Sequence, residues 1–203
     1  MLHVIDGQHT AIAACTHGGI PILPVVIIEG DEAERADAFV RHNRDRVNVT
    51  PMQLHYSMLA AGDDTATDID RACKRANVRI RRTPPASGLY GPGETVAIAA
   101  IRTLVSARGP RAARRVLEIC AEAQMAPITS NAIKAVEALL FSPSYQDEVD
   151  LDRLGAALRL YPKLSKEAEV WATERKVPRW RGLTSILFQN ARKRHGRRSD
   201  RAA

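Results

Sequence analysis

Apolar residues change rhythm near residue 30. Leu2 to Ile5 is a short apolar run ending at Asp6-Gly7, the pattern of a strand entering a tight turn. Gln8 to His17 reads as a helix closed by Gly18-Gly19. Ile20 to Ile28 is almost wholly apolar, which predicts a buried strand, with Pro21 and Pro24 confining part of it to an edge. These pieces form a compact β-α-β unit. From Asp31 onward the spacing becomes helical, with segments near 31–42, 51–61, 65–76, 94–107, 110–124, 130–141, 150–160, 164–175 and 181–194. The expected fold class is therefore α+β and mostly α: a short β-α-β element followed by a helical region.

Local chemistry sharpens these limits. Thr50-Pro51 supplies an N-cap and a proline at the first helical position, and Pro110 and Ser130 mark further starts. The proline- and glycine-rich stretch 82–93 reads as a linker. The expected division is residues 1–81, the linker 82–93, a helical domain over 94–191 and a basic disordered tail over 192–203.

Length and composition bound the function. The chain has 203 residues, 45% hydrophobic and 26% charged, which argues against wholesale disorder. It has no run of 18 apolar residues, so no membrane span is expected, and MLHVIDGQHT lacks the features of a secretory leader. Cys15, Cys73 and Cys120 are odd in number and far apart, which disfavours a zinc site or disulfides and favours a reduced, cytoplasmic setting. Each is expected to pack as a small hydrophobe. Aromatic residues are only 4%, too few for a protein that stacks many single-stranded bases.

The net charge is +7, and it is clustered. Arg71, Lys74, Arg75, Arg79, Arg81 and Arg82 form one group, and Arg102, Arg108, Arg111, Arg114 and Arg115 another. The C-terminal group includes Arg192, Lys193, Arg194, Arg197 and Arg198. Clustered arginine is what a phosphate backbone attracts, so nucleic acid, duplex DNA by its backbone, or another polyanion is the expected partner, and a solvated basic surface with no partner is the plainer reading of the same clusters.

Asp6-Gly7-Gln8-His9 would place a glycine turn at a helix start, where unpaired backbone amides and the macrodipole favour an anion. A capped structural turn is the plainer reading of the same residues. The stretch VIDGQHTAIAACTHGGIPILPVVI resembles the phosphate-binding box of the ParB/sulfiredoxin superfamily, of the D-G-Q-H-R type found in phage and plasmid proteins. HNRDRVNVTPMQ (42–53) resembles the next ParB box, E-N-x-x-R-x-x-L-x-P-x-E, with Asn43, Arg46 and Pro51 at matching positions. The resemblance covers residues 2–62.

It implies a nucleotide site for CTP or ATP with Mg2+, with Gly7, Gln8, His9 and Thr10 along the phosphates and Asn43 and Arg46 completing the site. Two positions depart from the family. Thr10 stands where the motif has arginine, which removes a bidentate phosphate donor, and His42 stands where it has glutamate, which removes a carboxylate for a hard cation. The chain starts one strand before the first box, so a shortened ParB fold lacking its N-terminal half is expected.

Three functions follow. The first is a ParB-like, DNA-associated protein of a mobile element with a nucleotide-phosphate site, intact or degenerate. The second is an enzyme of that fold, a nuclease or nucleotide-dependent enzyme, in which Asp6, His9 and His42 would converge on a cation. The third is a non-catalytic protein whose exposed sheet edge pairs with another chain or forms a homodimer. Base-specific readout is not expected. After a helix over 65–76, Pro84-Pro85 interrupt the region where a recognition helix would lie, and NAIKAVEALL, the second helix of another candidate pair, is too apolar to face DNA.

Overall fold

The computed structural model describes residues 7–25, 27, 29–31, 34 and 50–193. Its contacts form two units, Met1–Asn48 and Val49–Ala203.

In the first unit, helix α1 spans Gln8–His17. Two glycines bound it, both left-handed: Gly7 (φ 78°) as N-cap and Gly18 (φ 68°) as C-cap. Only a residue without a Cβ takes that conformation at little cost. The strand expected over Ile20–Ile28 is not formed by residues 20–25 or 27, which carry no regular structure. Pro21 and Pro24 have no N–H to donate to a ladder, and Ile20, Ile22, Val25 and Ile27 are exposed. Leu2 to Ile5 and most of the helix expected at 31–42 lie outside the described residues. Cys15 is exposed, contrary to its expected burial, because α1 buries only Ala14.

The second unit is helical around one two-stranded parallel sheet. Helices α2 (Pro51–Ala60) and α3 (Asp64–Arg75) lead into β1 (Arg79–Ile80), which pairs with β2 (Glu94–Thr95). Then follow α4 (Ile98–Glu122), α5 (Ser130–Phe141), α6 (Leu151–Arg159), α7 (Tyr161–Glu174) and α8 (Arg179–Ala191). The fold is thus α+β and mostly α, but its described strands are not those the apolar runs suggested. Stretch 82–93 lies within this unit, as the surface connection that brings β2 back beside β1.

The helix limits have local causes. Thr50 caps α2 by accepting from the Gln53 N–H, while the Gln53 side chain accepts from the Thr50 N–H, a full capping box with proline behind it. Asp63, Thr129 and Asp150 cap α3, α5 and α6 through their side chains. Gly109 (φ 80°, ψ 166°) and Pro110 break α4 into two arms, as the spacing anticipated.

Helix α4 packs on α3 and α5, and α8 packs on α5, α6 and α7. Ile101, Leu104, Leu117, Ile133, Leu139, Leu154 and Leu187 fill the space between them. NAIKAVEALL belongs to this core, with Ala132, Ile133, Ala135, Val136 and Leu139 buried on α5. Cys73 and Cys120 are buried as expected.

The crossing of α7 and α8 depends on Gly182. A Cβ there would fall onto the Ala168 carbonyl oxygen and 2.9 Å from the Ala172 Cβ. Gly155, on α6, has open space around it. The same substitution should therefore act in opposite directions. Gly182→Ala should lower unfolding free energy by about 1–3 kcal/mol through overpacking. Gly155→Ala should raise it by up to about 1 kcal/mol through helix propensity. Urea denaturation of both variants checks the pair, and equal shifts would contradict the close approach.

Candidate functional site

The first candidate is the turn at Gly7. Gly7, Gln8, His9 and Thr10 are all exposed. The first intrahelical bond runs from the Ala11 N–H to the Gly7 carbonyl, 2.9 Å, so the amides of Gln8, His9 and Thr10 precede the helical ladder. Backbone donors fit a phosphate here, while Gly7 to Thr10 supply neither a side-chain carboxylate nor an arginine or lysine. Asp6, His42, Asn43 and Arg46 lie outside the described residues. Among the described residues no cluster of three His, Cys, Asp or Glu could hold a metal ion.

The second candidate is the basic face around the end of α3. Arg71 and Arg75 are exposed, four residues apart and so on one face of the helix. Arg71 pairs with Asp68 at 3.3 Å, and Lys74 pairs with Asp70 at 2.7 Å. The chain then turns through Asn77 (φ 55°) into Arg79. The Arg82 guanidinium lies 4.5 Å from the centre of the Tyr56 ring.

One carboxylate organises this end of the sheet. Arg81 Nη1 donates to both oxygens of Glu94, at 2.9 and 3.0 Å, and the Gly91 N–H donates to the same group at 3.0 Å. Arg79 Nη1 stands farther off, 3.7 Å from Glu94. The Gly91 amide, opposed by burial and aided by Arg81 and Arg79, holds the Glu94 carboxyl below its ordinary pKa. Arg81 is thus committed to the fold, whereas Arg71, Arg75, Arg79 and Arg82 face outward.

Arg192 and Lys193, expected to open the C-terminal tail, are held to the fold. Arg192 bridges to Val149 in antiparallel fashion, and its Nε meets Glu148 at 2.8 Å. Arg153 donates to the Arg192 carbonyl at 2.6 Å, and Lys193 Nζ donates to the Asp147 carbonyl at 2.8 Å. These two residues strap the end of α8 to the α5–α6 connection. Arg194, Arg197 and Arg198 lie outside the described residues.

Sequence reasoning missed the third candidate. An open pocket of about 380 Å³ lies between α2, the end of α3 and β1. Its polar lining is His55, Tyr56, Asp70, Lys74, Asn77 and Arg79. His55 is 1% exposed, and its Nδ1 is buried with no hydrogen-bond partner. Arg102 Nη2 is buried and unpartnered as well. Burial and the positive charge of Arg102, against a weaker opposite effect of Asp70, hold the His55 pKa below its ordinary value. Cys73 shares this lining, but burial, with Asp70 nearby, pushes its thiol up to about 12. A protonated thiol is a poor nucleophile.

Two measurements follow from these environments. In the folded protein only Cys15 should react quickly with a thiol reagent at pH 8, with Cys73 and Cys120 reacting on unfolding; three fast thiols would contradict the burial. The second concerns pH. A folded-state pKa below the unfolded value means that stability is full above the unfolded pKa and is lost as pH falls toward the folded one. Melting temperature should therefore begin to fall below about pH 6.5 through His55, and fall again below about pH 4.3 through Glu94. His55→Gln should remove the first decline and leave the second.

No family model, no curated protein and no solved structure matches this chain.

Proposed function

We propose that the chain is a DNA-associated protein that holds duplex by its phosphate backbone, in keeping with the ParB-like resemblance of residues 2–62. The observation that carries this reading is the outward set Arg71, Arg75, Arg79 and Arg82 at the α3–β1 turn. The acids of that turn are already engaged: Asp68 by Arg71, Asp70 by Lys74, and Glu94 by Arg81. Arg79 shares its carboxylate with Arg81, and Arg82 faces a ring, so positive charge remains for an external anion. Arginine suits that role because its planar fork matches phosphate oxygens. Contacts of this kind position a duplex without reading its sequence.

Fluorescence anisotropy on two unrelated duplexes tests it. Affinity should be alike for both, and log K should fall with log salt by about 0.9 for each phosphate neutralised. The variant Arg71→Ala/Arg75→Ala/Arg79→Ala/Arg82→Ala should weaken both duplexes equally and flatten the slope. Truncation after Lys193 separates the tail's share without cutting the strap of Arg192 and Lys193. Marked preference for one duplex, or an unchanged slope in the quadruple variant, would overturn the reading.

The nucleotide part of the ParB-like reading assigns CTP or ATP with Mg2+ to the Gly7–Thr10 turn. The chain's own contribution there is backbone donation from the first turn of α1. Thr10→Arg restores the guanidinium that the family motif carries, so it should tighten CTP or ATP in equilibrium binding with magnesium. If no nucleotide gains affinity, the turn is structural.

A further inference from the structure

The geometry points to a second binding function in the second unit: the pocket between α2, the end of α3 and β1 takes a nucleoside monophosphate or a compound of the same chemistry, a phosphate on a flat, hydrogen-bonding ring. Arg79 is common to this inference and the duplex reading, but the pocket wall of His55, Tyr56, Asn77, Val78 and Ile80 belongs to this inference alone.

The size suits such a ligand. About 380 Å³ lies within the range of small-molecule sites, about 300–1,000 Å³. The mouth is cationic. Lys74 and Arg79 line it with side chains 75% and 78% exposed, so their charged ends reach solvent. Lys74 has Asp70 as partner, but Arg79 has only a distant share of Glu94, which Arg81 already holds with two bonds. Arg79 therefore has donors to give to a phosphate.

The wall differs from the mouth. His55 and Tyr56 meet edge to face, with ring centres 5.4 Å apart, and the Tyr56 hydroxyl is fixed by donation to the Ile80 carbonyl at 3.2 Å. Val78 and Ile80 add apolar surface, and Asn77 adds an amide that can both donate and accept. A bare inorganic anion would use the mouth and leave this wall idle. A purely apolar ligand would leave Lys74, Asn77 and Arg79 unmatched. A ring carrying a phosphate uses both halves. His55 is almost wholly buried, and its Nδ1, which has no hydrogen-bond partner, supplies a further polar atom against such a ring.

The test follows the histidine ring resonances of the full chain by proton–nitrogen NMR during titration with adenosine 5′-monophosphate, cytidine 5′-monophosphate, adenosine and inorganic phosphate. At least one monophosphate should shift the His55 ring signals and bind about tenfold more tightly than either adenosine or phosphate alone. Lys74→Ala/Arg79→Ala changes only exposed side chains and should keep the melting temperature. It should weaken the monophosphate about tenfold and leave adenosine unchanged. Silent His55 signals with every ligand would overturn the inference. So would equal affinity for phosphate and monophosphate, or unchanged monophosphate affinity in the double variant. Duplex affinity is measured separately, so failure of one reading leaves the other standing.

Discussion

The second unit is organised by the buried dipeptide Glu94-Thr95. On one side, the Arg79 N–H donates to the Gly93 carbonyl and the Arg81 N–H to the Thr95 carbonyl, which fixes β1. On the other, the Gly93 N–H donates to the Met125 carbonyl and the Ile128 N–H to the Glu94 carbonyl. The Thr95 hydroxyl donates to the Ile128 carbonyl at 2.8 Å. Two distant stretches of chain are knitted together by one strand of two residues and the glycine before it. Buried backbone groups must find partners, and here each stretch supplies them for the others. Gly93 permits the close approach: a Cβ there would stand 2.9 Å from the Asn77 carbonyl oxygen.

The candidate surfaces inherit their geometry from this knot. β1 is too short to hold its place by strand pairing alone, yet Arg79 and Arg81 diverge from it in opposite roles. Alternation along a strand sends neighbouring residues to opposite faces. The two arginines are two positions apart and so start on the same face, and competition for one carboxylate separates them. The better-buried Arg81 takes both oxygens, and Arg79 is left at the rim of the pocket. The turn at Asn77 joins this rim to α3, so the helix face with Arg71 and Arg75 and the strand with Arg79 and Arg82 lie at the two ends of one short turn.

What the sequence made legible was whatever is decided within a few residues. Gln8–His17 has the expected limits because Gly18 ends it locally, and Ser130–Phe141 has them because Thr129 caps it. The break at Gly109-Pro110 was legible for the same reason. The strand expected over Ile20–Ile28 was misplaced because strand identity comes from a partner. Ile20–Ile28 has the apolar composition of a strand, yet its described part pairs with nothing, whereas Arg79–Ile80 and Glu94–Thr95 are charged and too short for any periodicity. Arginine clusters could be counted, but the choice between Arg79 and Arg81 depends on Glu94, across the loop 82–93. His55 carried no spacing signal at all, since its lowered pKa comes first from burial in the folded chain and then from Arg102 on another helix.

The shared carboxylate also determines how readily the surface can exchange partners. Drawing an arginine away from a buried acid ordinarily strands a charge, and the loss is large. Glu94 is different, because Arg81 Nη1 and the Gly91 amide hold it whether or not Arg79 stays. Removing the Arg79 side chain would therefore leave the Glu94 contacts to Arg81 and Gly91 in place, and with them the strand pairing. The proposed exchange of Arg79 onto an anion would in kinetic terms need a side-chain rotation and no opening of the fold.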